Sequence, residues 1–433
     1  MPAITFTTRG GLDKSTLRQA NERLILSTIR QNPAVSRADI VRITGLSPSS
    51  VTFIVSRLRR EGLVSEEARG SRAVVGRQPI GLRLIPDARL AVGLDITLSG
   101  ARIAVGDLSD TIVARRHVPW TANYNVFFDR IHSHLHQILE PLGAGRALGV
   151  GVTLPGFIDR KTGKVIAAEN LNWFGVEAGS LIRRDLAVPF YFENMAKASA
   201  VAEMWSSQRD VTPLRDFVFV SCRSGLGTGV IINGQVLQGT DSAASEFGHV
   251  SINPQGIRCP CGNVGCWERY ASDLALSERY AARVRSGQGT ADSVQIAALA
   301  RKGDRDAMEV IQETAHFVGL GFVNLIVTLN PEAIIVGDFL SEAWDLLEET
   351  VWATVRSRVP AYCLPNVRIV RSRHGSEASL VGGAVPGDDE FLSEIRSRLQ
   401  GAPSQSGRHS RDRITYPAES GDPPWIEAEK QRR

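Results

Sequence analysis

The sequence predicts an α/β protein in which a small helical head precedes a larger body of alternating strands and helices. Three observations carry this. Residues 21–84 hold three short amphipathic segments bounded by capping residues and followed by a hairpin pattern. From Leu90 to about residue 386 the chain changes to apolar runs closed by Gly turns, LAVGLDI, ARIAVGDL and ALGVGVTLPG among them, interleaved with helical stretches. The charge divides at the same point. Residues 1–90 hold 15 Arg and Lys against 7 Asp and Glu, a net +8, and the remainder is net −4. A basic head on a mildly acidic body points to a head that meets nucleic acid and a body with another task.

A length of 433 residues suits two to four domains. The 43% hydrophobic content can bury a sizeable core, and only 6% aromatics makes that core aliphatic. The Gly residues fall in no triplet repeat, which excludes a fibrous chain. No apolar run approaches the ~20 residues of a membrane span, and Met1–Gly10 lacks the apolar stretch of a secretory signal. These features predict a soluble cytoplasmic protein without membrane contact. The expected organisation is a polar, flexible arm over 1–20, the head over 21–85, a junction at Pro86 and Asp87, and the body over 90–386. A charged extension rich in Ser, Pro, Arg and Gly fills 387–433 and reads as disordered from about Gly401.

In the head, ANERLILSTIRQN is a first helix stopped by Pro33. Ser36 can cap a second, with Asp39 in the capping-box position. Gly45 permits a tight turn and Leu46 packs inward. Ser47 then caps a third helix with Pro48 at its first position. Val51, Ile54, Val55 and Leu58 make one buried stripe on that helix. Ser49, Ser50, Thr52, Phe53, Ser56 and Arg57 are expected on its open face. This is helix-turn-helix geometry, with the third helix free to enter a major groove of double-stranded DNA. The hydroxyls bond phosphates, Phe53 suits a thymine methyl, and Arg57 or Arg60 reaches phosphate or guanine. GLVSEEARGSRAVVGRQPIGLRL is a β-wing whose Arg77 can enter a minor groove. One such helix reads few base pairs, so the chain is expected to bind a pseudo-palindromic operator as a homodimer, or as a tetramer built from it.

In the body, FVFVSCRSGLGTGVIINGQVL reads as strand, Gly turn and strand, Asp304–Thr328 as a long helix, AIIVGD as a buried strand and Ser341–Arg358 as another helix. Three of the five Cys crowd into C-P-C-G-N-V-G-C-W-E, from Cys259 to Glu268. Cys259, Cys261 and Cys266 can reach one ion, and His249 in E-F-G-H supplies a fourth ligand ten residues upstream. Cys₃His with no open position describes a structural Zn²⁺ site. Cys222 and Cys363 read as core residues.

The helix-turn-helix, the Gly-rich α/β body, E-x-G-H and C-x-C-G-x-x-G-C-x-E together resemble the ROK family (repressor, open reading frame, kinase), and most of all its regulators of sugar metabolism. The resemblance implies an actin-like, ribonuclease-H-like, sugar-kinase-type body of two α/β lobes with a sugar cleft between them. It implies effector contacts from Glu246, His249 and Glu268, from Asn194, and from the Pro155-Gly156 loop. His249 would turn one ring nitrogen to zinc and the other to the sugar. Two departures separate this chain from the family's kinases. Where they read E-N-D-A-N, with Asp as general base, Met195 stands in Glu193-Asn194-Met195-Ala196-Lys197, and a thioether takes no proton. Their first phosphate loop D-I-G-G-T is here Asp95-Ile96-Thr97-Leu98-Ser99. The second loop, Ser224–Gly229, suits a phosphate cradle and a plain hairpin turn equally.

The expected function is therefore a DNA-binding regulator, a repressor by the family's habit, controlled by a sugar or sugar derivative and not an enzyme. A body that binds a protein partner, or a sugar kinase with an added head, are the alternatives.

Overall fold

The computed structural model describes residues 14–68, 80–109, 111–142, 146–207, 213–284, 291–364 and 367–384. Most of the expected arm, the wing tip with Arg77, and the C-terminal extension lie outside the described residues.

The head is built from α1 (Lys14–Gln31), α2 (Arg37–Thr44) and α3 (Pro48–Arg60), then β1 (Val64–Ala68) and β2 (Ile80–Leu84). Helix α1 starts six residues before Ala20, where the sequence pattern begins it, inside the segment expected to be an arm. Lys14, Leu17, Arg18, Gln19 and Ala20 are all good helix formers, and nothing breaks the run before Pro33. Ser36 and Asp39 close a reciprocal capping box on α2, and Gly45 ends it in the left-handed region at φ 70°. The Ser47 hydroxyl accepts the Ser50 N–H at 3.2 Å to start α3. β1 and β2 pair antiparallel, and Val35 bridges to Leu82. Ile25, Ile29, Ile40, Val51, Ile54, Val55, Leu58 and Leu82 form the head's core.

The body contains two five-stranded sheets of the same topology. The first lobe orders its strands β10 (Phe190–Asn194), β6 (Ala147–Leu154), β3 (Leu90–Thr97), β4 (Gly100–Asp107) and β5 (Ile112–Pro119). The second orders β13 (Gln235–Val236), β12 (Leu226–Ile232), β11 (Phe217–Cys222), β14 (Ala333–Val336) and β15 (Arg368–Arg371). In each lobe the first three strands in sequence run antiparallel, and the last two add in parallel beside the first. This duplication is the ribonuclease-H-like, actin-like arrangement. A small antiparallel sheet of β7 (Phe157–Asp159), β8 (Lys164–Ala168) and β9 (Trp173–Val176) is added to the first lobe.

Helix α4 (Tyr124–Leu139) buries Phe127, Phe128, Ile131 and Leu135 on the first sheet. In the second lobe Arg305–Leu329 and Trp344–Arg358 do the same through Val310, Phe322, Leu347 and Val351. Arg305–Leu329 is long and apolar enough to cross a membrane by length and composition, contrary to the expectation that no such stretch exists. More than half of its apolar window is buried inside the second lobe. Cys222 is fully buried, and Cys363 packs partly buried against the same core.

A connecting helix, Met195–Ser207, leaves β10 and covers the second sheet through Ala200 and Met204. The last described helix, Ala378–Ala384, wedges between it and the first sheet. Small residues permit this. A Cβ on Gly151 would lie 1.8 Å from the Gly383 carbonyl oxygen, and one on Gly382 would lie 1.9 Å from that of Ala198. Gly151→Ala is therefore expected to destabilise the body by about 2 kcal/mol through overpacking, read as a lower denaturant midpoint at unchanged slope. An unchanged midpoint would contradict this packing.

Candidate functional site

The outer face of α3 is open. Pro48, Ser49, Thr52, Phe53, Ser56, Arg57 and Arg60 line a shallow groove, and Phe53 is 58% exposed. The Ser47, Ser49 and Ser50 hydroxyls form a small network at the helix N-terminus, at 2.9–3.0 Å. Hydroxyls and free backbone N–H groups at a helix start suit phosphate oxygens.

In the second lobe, the loop from Glu246 to Glu268 folds on itself. Ser251 bridges to Cys266 and Arg258 to Val264, with Gly262 and Gly265 at φ 94° and 75°. The Asn263 amide donates to the His249 carbonyl at 3.0 Å. The result gathers His249, Cys259, Cys261 and Cys266, whose ligand atoms all lie within 4.8 Å of one another. Cys259 Sγ stands 3.8 Å from His249 Nδ1, and Cys261 Sγ 3.7 Å from Cys266 Sγ. Burial and the neighbouring thiols push the Cys259 and Cys266 thiols up. Three thiols and an imidazole this close fit a four-coordinate metal ion, whose charge would hold them as thiolates. Trp267 anchors the loop by packing on Gly321 and donating to the Phe317 carbonyl at 2.8 Å.

The same loop carries Glu246 and Glu268, which face His249 and Glu169. Cleft walls strip water from both carboxyls and push them up; His249 pulls both back, as do Lys197 for Glu246 and the Leu226 N–H for Glu268. The Leu226 N–H donates to Glu268 at 3.0 Å. From the first lobe, Asn194 donates to the Gly156 carbonyl at 3.0 Å, while its oxygen accepts the Ala196 N–H at 2.9 Å. Asn194 thus ties the Pro155-Gly156 loop to the start of the connecting helix, with one amide N–H left over for a ligand. Gly156, at φ 77°, lies against the Ala167 carbonyl, where a side chain has no room.

A winged helix-turn-helix DNA-binding profile matches residues 18–65, and the ROK family profile matches residues 91–386. The chain belongs to the ROK family. The xylose repressor of Bacillus subtilis is 30% identical over 390 residues, covering 88% of this chain and 98% of that protein. The glucokinase of Streptomyces coelicolor is 30% identical over 315 residues, covering 68% of this chain and 96% of its own. The crystal structure of a ROK family transcriptional regulator, described as a homologue of the E. coli MLC protein, superposes with a TM-score of 0.75 at 24% identity. It covers 89% of this chain and 100% of its own, and supports the fold. The family thus holds both repressors and kinases, and the repressor matches more of this chain.

One expected DNA contact is already engaged within the head. Arg57 lines the groove on the open face of α3 but is largely buried there. It flanks the buried stripe at 8% exposure and is ion-paired with Glu22 of α1, with Glu61 3.5 Å away. The hydrophobic pattern assigns Arg57 outward by its charge alone; Glu22 across the helix pair draws it in.

Other polar side chains that the sequence gives no role gather around the cleft. Lys197 is a buried ammonium that donates to the Ser242 carbonyl at 2.6 Å. Burial pulls it down, and Glu193 and Glu246 pull it back up. Glu193 in turn accepts from Gln238 at 2.9 Å and stands 2.9 Å from Arg160. Asn170 lies beside Glu268 around Gly225. Lys197 had a signal, a charge two residues after Met195 among the small residues that begin the connecting helix; Glu169 and Asn170, in the short helical turn Glu169–Leu171, and Gln238 had none. Met195 itself is the half-buried first residue of the connecting helix.

Arg57 and Arg60 of α3 should behave oppositely. Arg57→Ala strands Glu22 and is expected to cost the head about 3 kcal/mol, seen as a lower unfolding midpoint. Arg60→Ala is expected to leave the midpoint in place and lower the slope of operator affinity against salt by about one unit. The reverse pattern would make Arg57 the DNA contact.

Proposed function

We propose that this ROK protein is a DNA-binding transcriptional regulator that represses carbohydrate uptake and catabolism genes, controlled by a sugar or sugar derivative in the cleft of a catalytically inactive kinase-like body. The observation that carries the reading is the capped, open-faced α3 in a winged helix-turn-helix head ahead of a ROK body. Ser47, Ser49, Ser50, Thr52 and Phe53 serve the DNA contact, joined by Arg77 in the minor groove. Two heads held by a symmetric homodimer read a palindromic operator in the cytoplasm, and the net +8 of residues 1–90 makes that affinity fall steeply with salt.

Zn²⁺ is the ion for the Cys₃His cluster. Zn–S bonds of about 2.3 Å in a tetrahedron set sulfurs about 3.8 Å apart, against 3.7 Å between Cys261 and Cys266. The metal fixes the loop and the His249 tautomer, and so the side of the ring offered to the effector. Glu246, His249 and Glu268 pair with vicinal hydroxyls, with Asn194 and the Pro155-Gly156 loop closing from the other lobe. Phosphoryl transfer is absent because Met195 stands where the family's kinases hold their base.

Elemental analysis of freshly purified protein should give one zinc per chain, lost on Cys261→Ala; zinc-free protein, or zinc retained by that variant, contradicts the assignment. In a thermal-shift panel of neutral sugars the effector should stabilise the protein, by about 2.7 kcal/mol at a hundredfold excess over its Kd. Glu246→Ala should abolish that shift and keep the zinc. A sugar that stabilises both equally lies elsewhere.

A further inference from the structure

A second charged network joins the lobes, built on the two loops that the family resemblance assigns to phosphate. Its centre is Arg223, immediately after β11 and before Ser224–Gly229. The Arg223 Nε donates to Asp338 Oδ1 at 2.7 Å, within the second lobe. Its Nη1 stands 3.5 Å from Oδ2 of Asp95, on β3 of the first lobe. Its Nη2 donates to the Ser376 carbonyl at 2.8 Å. Arg102, the cross-strand partner of Asp95 on β4, donates to the same Asp95 oxygen and to the same Ser376 carbonyl, at 2.5 and 2.9 Å.

Both carboxylates are buried, Asp95 completely. Thr153 donates to the second Asp95 oxygen at 2.6 Å, and Ser221 to the second Asp338 oxygen at 2.6 Å. Every carboxylate oxygen therefore has a donor. Burial alone would raise the Asp95 carboxyl; Arg223 and Arg102, with Thr153, hold it below its ordinary range. Asp338 has φ 50°, in the left-handed region that few non-glycine residues occupy. Backbone strain of this kind persists where surrounding contacts over-determine it.

Two buried carboxylates from two lobes, facing one cation, is the arrangement a divalent metal with a nucleotide's phosphates would otherwise make. Here the cation is part of the chain. We propose that Arg223 is a tethered cation that occupies the metal–nucleotide end of the cleft and clasps the two lobes there, so that the body is held at that end without a nucleotide and accepts none. The proposal stands apart from the function proposed above: a sugar-responsive repressor could lack the clasp, and a clasped body could serve another role.

The test compares full-length wild type, Arg223→Ala and Asp338→Asn. Hydrogen exchange is read over residues 94–103, 221–227 and 375–380, and the melting temperature is read with Mg–ATP and with Mn²⁺ alone. In wild type neither addition should move the melting temperature. In Arg223→Ala, exchange should rise about tenfold in 94–103 and 375–380 as well as in 221–227, and Mn²⁺ should now stabilise the protein, because two carboxylates have lost their counter-charge. Asp338→Asn keeps the shape and should loosen the same three segments to a smaller degree, without the Mn²⁺ gain. It carries the lobe-coupling test if Arg223→Ala does not fold. Stabilisation of wild type by Mg–ATP, or faster exchange confined to 221–227 in the variants, would overturn the clasp. Operator binding and the sugar shift of wild type, measured on the same preparation, report on the proposed function independently.

Discussion

At the centre of the body the helix Ala378–Ala384 is pressed between β6 and the connecting helix so closely that two glycines, Gly151 and Gly383, meet backbone to backbone. Neither lobe can shift against this wedge without opening a packed interior, which costs more than a surface contact would. The connecting helix inherits that fixity along its whole length, about 20 Å for its turns. At its start Asn194 holds the Pro155-Gly156 loop, and at its end Trp205 lies under the Arg30 guanidinium of the head, 4.0 Å from ring centre to cation. Cleft and head thus share one rigid element.

The cleft's chemistry follows from where that element points. Glu246 and Glu268 come from a loop that could not hold its shape by secondary structure alone; among its described residues the order comes from two isolated bridges, Trp267 and the Cys₃His cluster. Lys197, in the first turn of the connecting helix, balances Glu193 and Glu246. The site is therefore rich in hydrogen-bond acceptors, with its buried ammonium already committed to the Ser242 carbonyl. Hydroxyl groups of a neutral ligand answer such a surface better than an anion would.

Much of this was legible in the sequence, for reasons that differ by element. The head was readable because caps, turn glycine and stripe are local signals: Ser36, Asp39, Gly45 and Ser47 act within four residues of their own positions. The Cys₃His cluster was readable because its spacing constrains geometry directly. The duplicated, actin-like sheet topology was reached only through the family resemblance, because parallel pairing such as β11 with β14 joins residues more than a hundred apart and leaves no local periodicity. The Arg57–Glu22 ion pair was not legible, because Glu22 belongs to another helix. Arg223 escaped notice for the same reason, since Asp95 and Asp338 lie on either side of it in sequence, each more than a hundred residues distant.

The central claim is that a ligand in the body changes what the head does. Operator DNA, selected from genomic fragments by the full-length protein, should be titrated at fixed salt with and without the sugar that raises the melting temperature. A change in operator affinity of about tenfold or more, corresponding to a coupling of about 1.4 kcal/mol, is the predicted result. An operator affinity that the stabilising sugar leaves unchanged would contradict the account, because the cleft and the head would then be independent.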